Sequence, residues 1–277
     1  MSRSPLDLEY SPSSVARDPD RTLRRYRELG DAARRRLTVH ERVPYGDRPG
    51  EVCHVFPANG HTGQALVFVH GGHWQESGID DACFAAEHAV ACGYAFVAVG
   101  YGLAPARTLP EMIDSVARAL RWLADVGPSY GFDADGLNVA GSSAGAHLLA
   151  CALTRRDTPR VRVACLLSGV YELTEIPRTY VNDALGLTPE LARACSPVRM
   201  PAPRCDAVLL AVGEHETRTY LRQHEEYAVH LTKLGVPVAA HVVPDRDHFD
   251  LPLDLLDPTT RFGRVSRDYL QGVRYTP

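Results

Sequence analysis

The chain has 277 residues, of which 45% are hydrophobic and 23% are charged, so its composition is that of a globular protein with a substantial core. Thirty basic against 34 acidic side chains give a net charge of -4, and this balance lacks the basic excess with which proteins bind nucleic acid. Pro and Gly are spread along the sequence without forming a linker, which predicts a single domain over residues 1–277.

An amphipathic helix is predicted near the start of the chain. Between Pro19 and Leu37, apolar residues that include Leu23 and Tyr26 recur at helical spacing, with arginines between them. We interpret residues 1–38 as a helical extension that precedes the central part of the domain.

Eight short apolar runs follow the helix, and each has the length and composition of a β-strand. Helical patterns such as Leu109 to Ala124 lie between the later runs, and this alternation predicts a mostly parallel sheet with helices on its faces. The sequence therefore predicts an α/β fold. The runs are Thr38 to Val43, Glu51 to Phe56, Ala65 to Val69, Tyr94 to Val99, Leu137 to Ala140, Val161 to Leu167, Asp206 to Val212 and Val236 to Val243.

One segment, residues 171–203, departs from the alternation of strands and helices. It contains polar turns and the string LGLTPELARACSPVRMP, with no strand pattern. We interpret it as a small helical insertion above the sheet edge, in the position of a lid.

The seven cysteines are dispersed, odd in number and without the spacing of a zinc site, which favours a reducing compartment. The opening residues include no apolar run typical of a secretory leader, and no stretch reaches the roughly 18 apolar residues of a membrane span. We therefore expect a cytoplasmic protein that does not contact a membrane.

The strongest chemical signal is a G-x-S-x-G string from Gly141 to Gly145, which follows a predicted strand and precedes a predicted helix. This context is that of a nucleophile elbow, in which a sharp turn lifts the serine hydroxyl clear of the sheet. Ser143 is therefore the predicted nucleophile. The backbone N–H of Ala144 lies at the start of the helix, where it favours a developing negative charge.

A second signal, His70 to Trp74, follows the strand ALVFV and reads HGGHW. Glycines in such a loop let backbone N–H groups approach a substrate carbonyl, so Gly72 and His73 join Ala144 as predicted oxyanion donors. The interpretation of Trp74 stays open between a core residue and the wall of a substrate pocket. No third ligand accompanies the two histidines of the loop, and we predict neither a metal nor another cofactor.

A serine nucleophile requires a histidine base that is oriented by a carboxylate. His248 follows the last predicted strand, in the sequence PDRDHFD, and is the best-placed of the twelve histidines. The acid is expected after the preceding strand, where Glu216 is our first choice and Glu214 the second. The aspartates at 245 and 247 are too close in sequence to His248 to orient its ring, and we expect them to shape its loop.

The sequence resembles the kynurenine formamidases of the α/β-hydrolase type, which are related to the hormone-sensitive-lipase-like esterases. The resemblance runs nearly end to end and includes LEYSPSS, HGGHWQE, GSSAGAHLLA and PDRDHFDL. It implies an α/β-hydrolase fold and places the nucleophile, acid and base of the family at Ser143, Glu216 and His248. The family usually has aspartate at the position of Glu216, so the acid loop must accommodate a longer side chain.

The resemblance implies a metal-free serine hydrolase that cleaves the formamide of N-formylkynurenine or a related N-formyl aryl amine. Because a formyl group is very small, specificity must arise on the aryl side, where we expect Trp74, Tyr101 and Phe249. A carboxylesterase for short acyl or methyl esters is the alternative, and a catalytically silent binding protein is a third reading. We expect a small-molecule substrate without nucleic acid or membrane partners, and a homodimer stays open.

Overall fold

A single β-sheet lies at the centre of the molecule, whose computed structural model describes residues 4–272. Its strands are β1 His40–Pro44, β2 Val52–Phe56, β3 Gly63–Val69, β4 Ala95–Val99, β5 Phe132–Ser142, β6 Val161–Leu167, β7 Cys205–His215 and β8 Val238–Asp247. Their order across the sheet is β1-β2-β4-β3-β5-β6-β7-β8. The two pairs that include β2 are antiparallel and the remaining pairs are parallel.

Helices cover both faces of this sheet. They are α1 Pro5–Glu9, α2 Pro19–Arg36, α3 Ala86–Ala91, α4 Leu109–Val126, α5 Ala144–Ala152, α6 Asn182–Leu185, α7 Pro189–Ala194, α8 Arg218–Lys233 and α9 Arg261–Leu270. Side chains of α4, α5 and α8 pack with Val67 and Val69 of β3 on one face. Side chains of α2, α3 and α9 pack with Leu66 and Phe68 on the other. This arrangement confirms the predicted α/β-hydrolase fold, and it explains why β3 is apolar at successive positions.

Each of the eight predicted strands is present, and the largest differences are at the ends of two of them. The strand β5 begins at Phe132, which pairs with Gly63, although the apolar run begins only at Leu137. The strand β8 continues through a polar stretch to Asp247, which pairs with His215. Sheet pairing extends both strands beyond their hydrophobic parts, so apolar runs alone did not give these boundaries.

The amphipathic helix predicted from Pro19 to Leu37 is α2. The side chain of Asp18 caps its first turn by accepting a hydrogen bond from the backbone N–H of Arg21 at 3.0 Å. Pro19 occupies the first helical position, where its missing N–H costs nothing, and three arginines lie in the last turn, where they complement the helix dipole. The helix packs through its apolar side against the same sheet face as α3.

The short helices α6 and α7 lie in the segment between β6 and β7 where the sequence predicts a lid. Gln223 of α8 fixes the start of this segment, because its Oε1 accepts hydrogen bonds from the backbone N–H groups of Tyr171 at 2.6 Å and Glu172 at 2.8 Å. The side chain of Gln75 donates to the carbonyl oxygen of Val181 at 2.7 Å. The segment is therefore tied both to α8 and to the loop after β3. Its function as a lid stays a prediction.

All seven cysteines are free thiols in the described part of the chain. Burial raises the pKa of most of them, for example to about 12 for Cys165. They therefore contribute to the structure as small apolar side chains. Among residues 4–272, no helix has both the length and the apolar character that crossing a membrane requires.

Candidate active site

Four parallel strands bring the chemically important residues to one edge of the sheet. His70 is the first residue after β3, and Ser143 is the first after β5. Glu216 and His248 likewise come directly after β7 and β8. Because parallel strands end at the same edge, residues far apart in sequence meet here, as is usual for sites in open α/β sheets.

Ser143 lies at a strained turn between β5 and α5. Its backbone angles are φ 54° and ψ -118°, outside the regions that residues other than glycine ordinarily adopt. The backbone N–H of Ser143 donates to the carbonyl oxygen of Leu167 at 2.8 Å, which holds the turn against β6. A Cβ atom at Gly145 would lie 2.0 Å from the carbonyl oxygen of Val69, so only glycine allows α5 to pack this closely on β3. The geometry is that of a nucleophile elbow.

The loop after β3 passes beside this turn in an unusual conformation. Gly72, His73 and Trp74 all have positive φ, at 105°, 47° and 63°. The carbonyl oxygen of Gly72 accepts hydrogen bonds from the N–H groups of Gln75 at 2.8 Å and of the next residue at 2.9 Å, which closes a tight turn. Gly72 and His73 line the same cavity as the nucleophile, and Ala144 is the first residue of α5. Their assignment as oxyanion donors stays a prediction.

We expect Gly72→Ala to lower kcat about 10²-fold, the usual effect of losing an oxyanion donor. A Cβ atom at Gly72 would lie 2.2 Å from the carbonyl oxygen of Glu76, so the loop must move. Gly93→Ala is the matched control, because Gly93 also has positive φ, at 87°, but within the described structure its Cβ would meet open space. Both variants should lose roughly 1–3 kcal/mol of unfolding free energy through backbone strain. A wild-type kcat in Gly72→Ala would show that this loop does not supply oxyanion donors.

His248 and Glu216 form a buried pair. The Nδ1 atom of His248 lies 3.0 Å from both carboxylate oxygens of Glu216, and the two residues are only 6% and 7% exposed. Since a carboxylate only accepts hydrogen bonds, Nδ1 carries the hydrogen and Nε2 is free to act as a base. The ring of His248 lines the cavity together with Ser143.

The other acidic residues near His248 have structural contacts. Glu214, the second choice for the acid, is exposed and its Oε2 accepts a hydrogen bond from the backbone N–H of Asp245 at 3.0 Å. Asp247 shapes the base loop as predicted, because its Oδ1 accepts from the N–H groups of Phe249 at 2.9 Å and Asp250 at 3.1 Å. Of these carboxylates, Glu216 is the one that accepts a hydrogen bond from the His248 ring.

Two of the three aromatic residues expected on the aryl side are instead buried in the core. Trp74 has no exposed surface, and its Nε1–H donates to Nδ1 of His147 at 3.2 Å. Tyr101 is 1% exposed, stacks on the ring of His70 at 4.4 Å and donates its hydroxyl hydrogen to the His70 carbonyl oxygen at 3.1 Å. Both residues pack behind the loop from His70 to Trp74, and the positive φ of Trp74 directs its own ring inward.

The two histidines in these contacts are neutral. Burial lowers the pKa of His70 to about 4, and it lowers the pKa of His147 to about 4 as well. His147 accepts from Trp74 at Nδ1, and its Nε2–H therefore donates to the carbonyl oxygen of Cys195 at 2.8 Å. This chain of hydrogen bonds links the loop after β3 to the segment between β6 and β7.

A cavity of about 420 Å³ opens in front of Ser143, a size typical of small-molecule sites. Phe249 lines it, as predicted, together with Tyr26 of α2 and Phe84. The rings of Tyr26 and Phe84 stack at 4.6 Å, and the hydroxyl of Tyr26 donates to the carbonyl oxygen of Phe249. Neither Tyr26 nor Phe84 was predicted from the sequence to line this cavity. The helical periodicity indicated that Tyr26 faces the protein, but nothing in the sequence showed that it meets this cavity.

The N-terminal segment forms one wall of the cavity. Pro12, Ser13 and Leu23 line it, and the neighbouring Tyr10 is fully buried. Glu9 binds the start of α8, where its carbonyl oxygen accepts from the Thr217 hydroxyl at 2.6 Å. Part of the LEYSPSS string therefore lines the same cavity as Ser143.

Comparison with known proteins agrees with this geometry. A family model described as having the alpha/beta hydrolase fold matches residues 66–250. Kynurenine formamidase of Danio rerio is 34% identical over 276 residues, covering 93% of this chain and 92% of that protein. Kynurenine formamidase of Salmo salar is 32% identical, with coverage of 93% and 92%. A solved hyperthermophilic esterase from Pyrobaculum calidifontis superposes with a TM-score of 0.73 at 20% identity, over 99% of this chain and 98% of that one, which shows the fold alone.

The strand order and the elbow at Ser143 define an α/β hydrolase. The pairing of His248 with Glu216 supplies the remaining elements of such a site. The chain belongs to the kynurenine formamidase group of the α/β-hydrolase family.

Proposed function

We propose that the protein is a metal-free serine hydrolase that cleaves the formamide of N-formylkynurenine or a related N-formyl aryl amine to formate and the free amine. The observation that supports this most directly is the extent of the similarity. The general fold model begins at residue 66, whereas the similarity to the kynurenine formamidases covers 93% of the chain and so extends into the N-terminal region. That region forms a wall of the cavity in front of Ser143.

The first half of the reaction forms a formyl-enzyme. His248 accepts the hydroxyl proton of Ser143 while Oγ attacks the formyl carbon, and Glu216 stabilises the imidazolium that results. The N–H groups of Gly72, His73 and Ala144 then hold the oxyanion. When the C–N bond breaks, protonated His248 gives its proton to the departing amine.

The second half repeats these steps with water as the nucleophile. His248 accepts a proton from water as the water oxygen attacks the formyl ester, and the same donors hold the second oxyanion. Breaking of the ester bond returns the proton to Oγ of Ser143 and releases formate. Atoms balance over the cycle, because one water is consumed for each formamide that is cleaved.

The aryl part of the substrate is proposed to lie against Tyr26, Phe84 and Phe249. These rings offer an aromatic surface next to the base loop, since the rings of His248 and Phe249 meet edge to face at 5.4 Å. A formyl group itself has too little surface to be recognised by burial, so the aryl contacts must determine which amine is accepted.

The test compares kcat/KM for N-formylkynurenine with that for p-nitrophenyl acetate, and we expect the formamide to be favoured by about tenfold or more. EDTA should leave both rates unchanged. The alternative is a carboxylesterase, which would use the same residues and has the fold of the solved esterases. It predicts a higher kcat/KM for p-nitrophenyl acetate than for N-formylkynurenine. A silent binding protein would react with neither substrate, nor with a fluorophosphonate probe of the serine.

Three further properties are proposals. A cytoplasmic location is supported by the free state of the seven cysteines, which are typical of a reducing compartment. A small-molecule partner, without nucleic acid or membrane, is supported by the net charge of -4 and by the size of the cavity. A homodimer stays an open alternative, which sedimentation of the purified protein would decide.

A further inference from the structure

The turn that carries the predicted acid is bound by a residue near the start of the chain. Glu216 follows β7 directly and is itself followed by Thr217, the N-cap of α8. The hydroxyl of Thr217 donates to the carbonyl oxygen of Glu9 at 2.6 Å. The side chain of Glu9 reaches the same turn, where its Oε2 accepts a hydrogen bond from the backbone N–H of Thr219 at 2.9 Å. Glu9 therefore caps a helix that lies 210 positions further along the chain.

These two hydrogen bonds determine the conformation of the turn. The N–H groups in the first turn of a helix have no partner within the helix, and burial makes an unpaired N–H costly. Thr217 and Thr219 are 5% and 7% exposed, so water reaches their backbone poorly. The carboxylate of Glu9 satisfies one of these N–H groups and also lies at the positive end of the α8 dipole.

Glu9 is itself held in place by its neighbours. It is the last residue of α1, and the next residue, Tyr10, is fully buried. The hydroxyl of Tyr10 accepts a hydrogen bond from Nε2 of Gln223 in α8 at 3.2 Å and donates to Glu175 at 3.1 Å. The backbone N–H of Tyr180 donates to Asp7 at 2.8 Å. Glu9 is thus a fixed point against which the start of α8 is set.

The same N-terminal segment also binds the loop of the predicted base. The backbone N–H of Arg17 donates to Oδ2 of Asp247 at 3.0 Å, while Oδ1 of Asp247 accepts from the N–H of Phe249 at 2.9 Å. Asp247 and Phe249 are the two neighbours of His248 in the chain. The acid turn and the base loop follow different strands, and the N-terminal segment contacts both of them.

We propose that Glu9 is a positioning residue, which holds Glu216 at hydrogen-bond distance from Nδ1 of His248 by binding the start of α8. Both carboxylate oxygens of Glu216 lie 3.0 Å from Nδ1, and a displacement of the turn by about 1 Å would break this contact. Glu9 acts through Glu216 and not on the reacting atoms. The inference rests on the serine chemistry of the proposed function but not on the identity of the amine.

The test is Glu9→Ala, for which we expect kcat to fall about tenfold with KM little changed, because the acid is displaced while the cavity keeps its lining. The rate of labelling by a fluorophosphonate probe should fall by a similar factor. Glu9→Gln should keep most of kcat, since its amide oxygen still accepts from Thr219. Glu111→Ala is the matched control, because Glu111 accepts from the backbone N–H and the hydroxyl of Thr108 at the start of α4. It should keep the wild-type kcat.

A double-mutant cycle separates positioning of the acid from a general loss of structure. In the Glu216→Gln background the acid is already lost, so adding Glu9→Ala should lower the labelling rate by less than about twofold. A further tenfold loss in that background would mean that Glu9 acts by another route and would overturn the inference. Wild-type kcat and labelling in Glu9→Ala alone, or an equal loss in Glu111→Ala, would overturn it as well.

A second pair of variants serves if Glu9→Ala fails to fold. Thr217→Ser keeps the hydroxyl that binds the Glu9 carbonyl oxygen, whereas Thr217→Val keeps the shape of the side chain without the donor. We expect Thr217→Ser to retain most of kcat and Thr217→Val to lose it, and equal rates would contradict the role of Glu9. If N-formylkynurenine is not cleaved but labelling still slows in Glu9→Ala or Thr217→Val, the proposed substrate fails and the role of Glu9 stands.

Discussion

Ser143→Ala is expected to lower kcat by about 10⁴-fold or more, because the variant has no nucleophile and the remaining members of the site have nothing to activate. The protein should still fold, since the turn at position 143 is held by the backbone hydrogen bond to Leu167 and not by the hydroxyl. Alanine adopts the strained backbone angles of this turn no less readily than serine. Initial rates on the preferred substrate, together with thermal unfolding, measure both expectations.

His248→Ala should lower kcat as much as Ser143→Ala does, because a serine hydroxyl without its base is a poor nucleophile. Ser142→Ala is the matched control, since Ser142 is the neighbour of the nucleophile and lines the same cavity. We expect it to retain most of its activity. Near-normal turnover in Ser143→Ala, or a comparable loss in Ser142→Ala, would refute the assignment of the nucleophile.

The acid is tested by Glu216→Gln, for which we expect kcat to fall by about 10³- to 10⁴-fold. The amide keeps the shape of the side chain but removes the charge that stabilises the imidazolium, and it can present an N–H to Nδ1 and favour the wrong tautomer. Glu214→Gln is the control, because Glu214 is exposed and bonded to the backbone of Asp245. It should retain nearly full activity, and the reverse ranking would place the acid at Glu214.

The kcat of Glu216→Asp should fall between that of Glu216→Gln and that of Glu214→Gln. Both oxygens of Glu216 are 3.0 Å from Nδ1 of His248, so the loop is adapted to the longer side chain and aspartate would not reach. A nearby carboxylate still favours the imidazolium, even through a water. If Glu216→Asp and Glu216→Gln are equally inactive, the negative charge of Glu216 is not what the reaction requires. If Asp is faster than wild type, the glutamate serves another purpose.

The sheet and three predicted catalytic residues could be identified from the sequence for one physical reason. Buried parallel strands are apolar along their length, and the residues that follow them meet at one edge. Once the strands were recognised, the positions of Ser143, Glu216 and His248 at strand ends indicated that they meet. Their catalytic roles stay predictions until the variants are measured.

The lining of the cavity was much harder to predict from the sequence, because it is formed by contacts between distant segments. Tyr26 belongs to a helix that precedes the sheet, and Phe84 lies between β3 and α3, so neither has a local signal of function. The place of Trp74 could not be decided from the sequence for a different reason. Its position beside Gly71 and Gly72 was compatible with both the pocket and the core, and the backbone at φ 63° directs the indole into the core, where His147 accepts its hydrogen.

The N-terminal wall of the cavity has a consequence for how the protein is made. Its anchors are on strands and loops near the other end of the chain: Arg17 donates its N–H to Asp247 across 230 positions, and Tyr26 bonds to Phe249 across 223. During synthesis this segment emerges well before β8 and must therefore wait for that strand before it can dock. The serine elbow is synthesised long before its base. A nascent chain thus lacks the predicted base His248 until β8 has been synthesised, and the closing of these long loops is expected to limit the rate of folding.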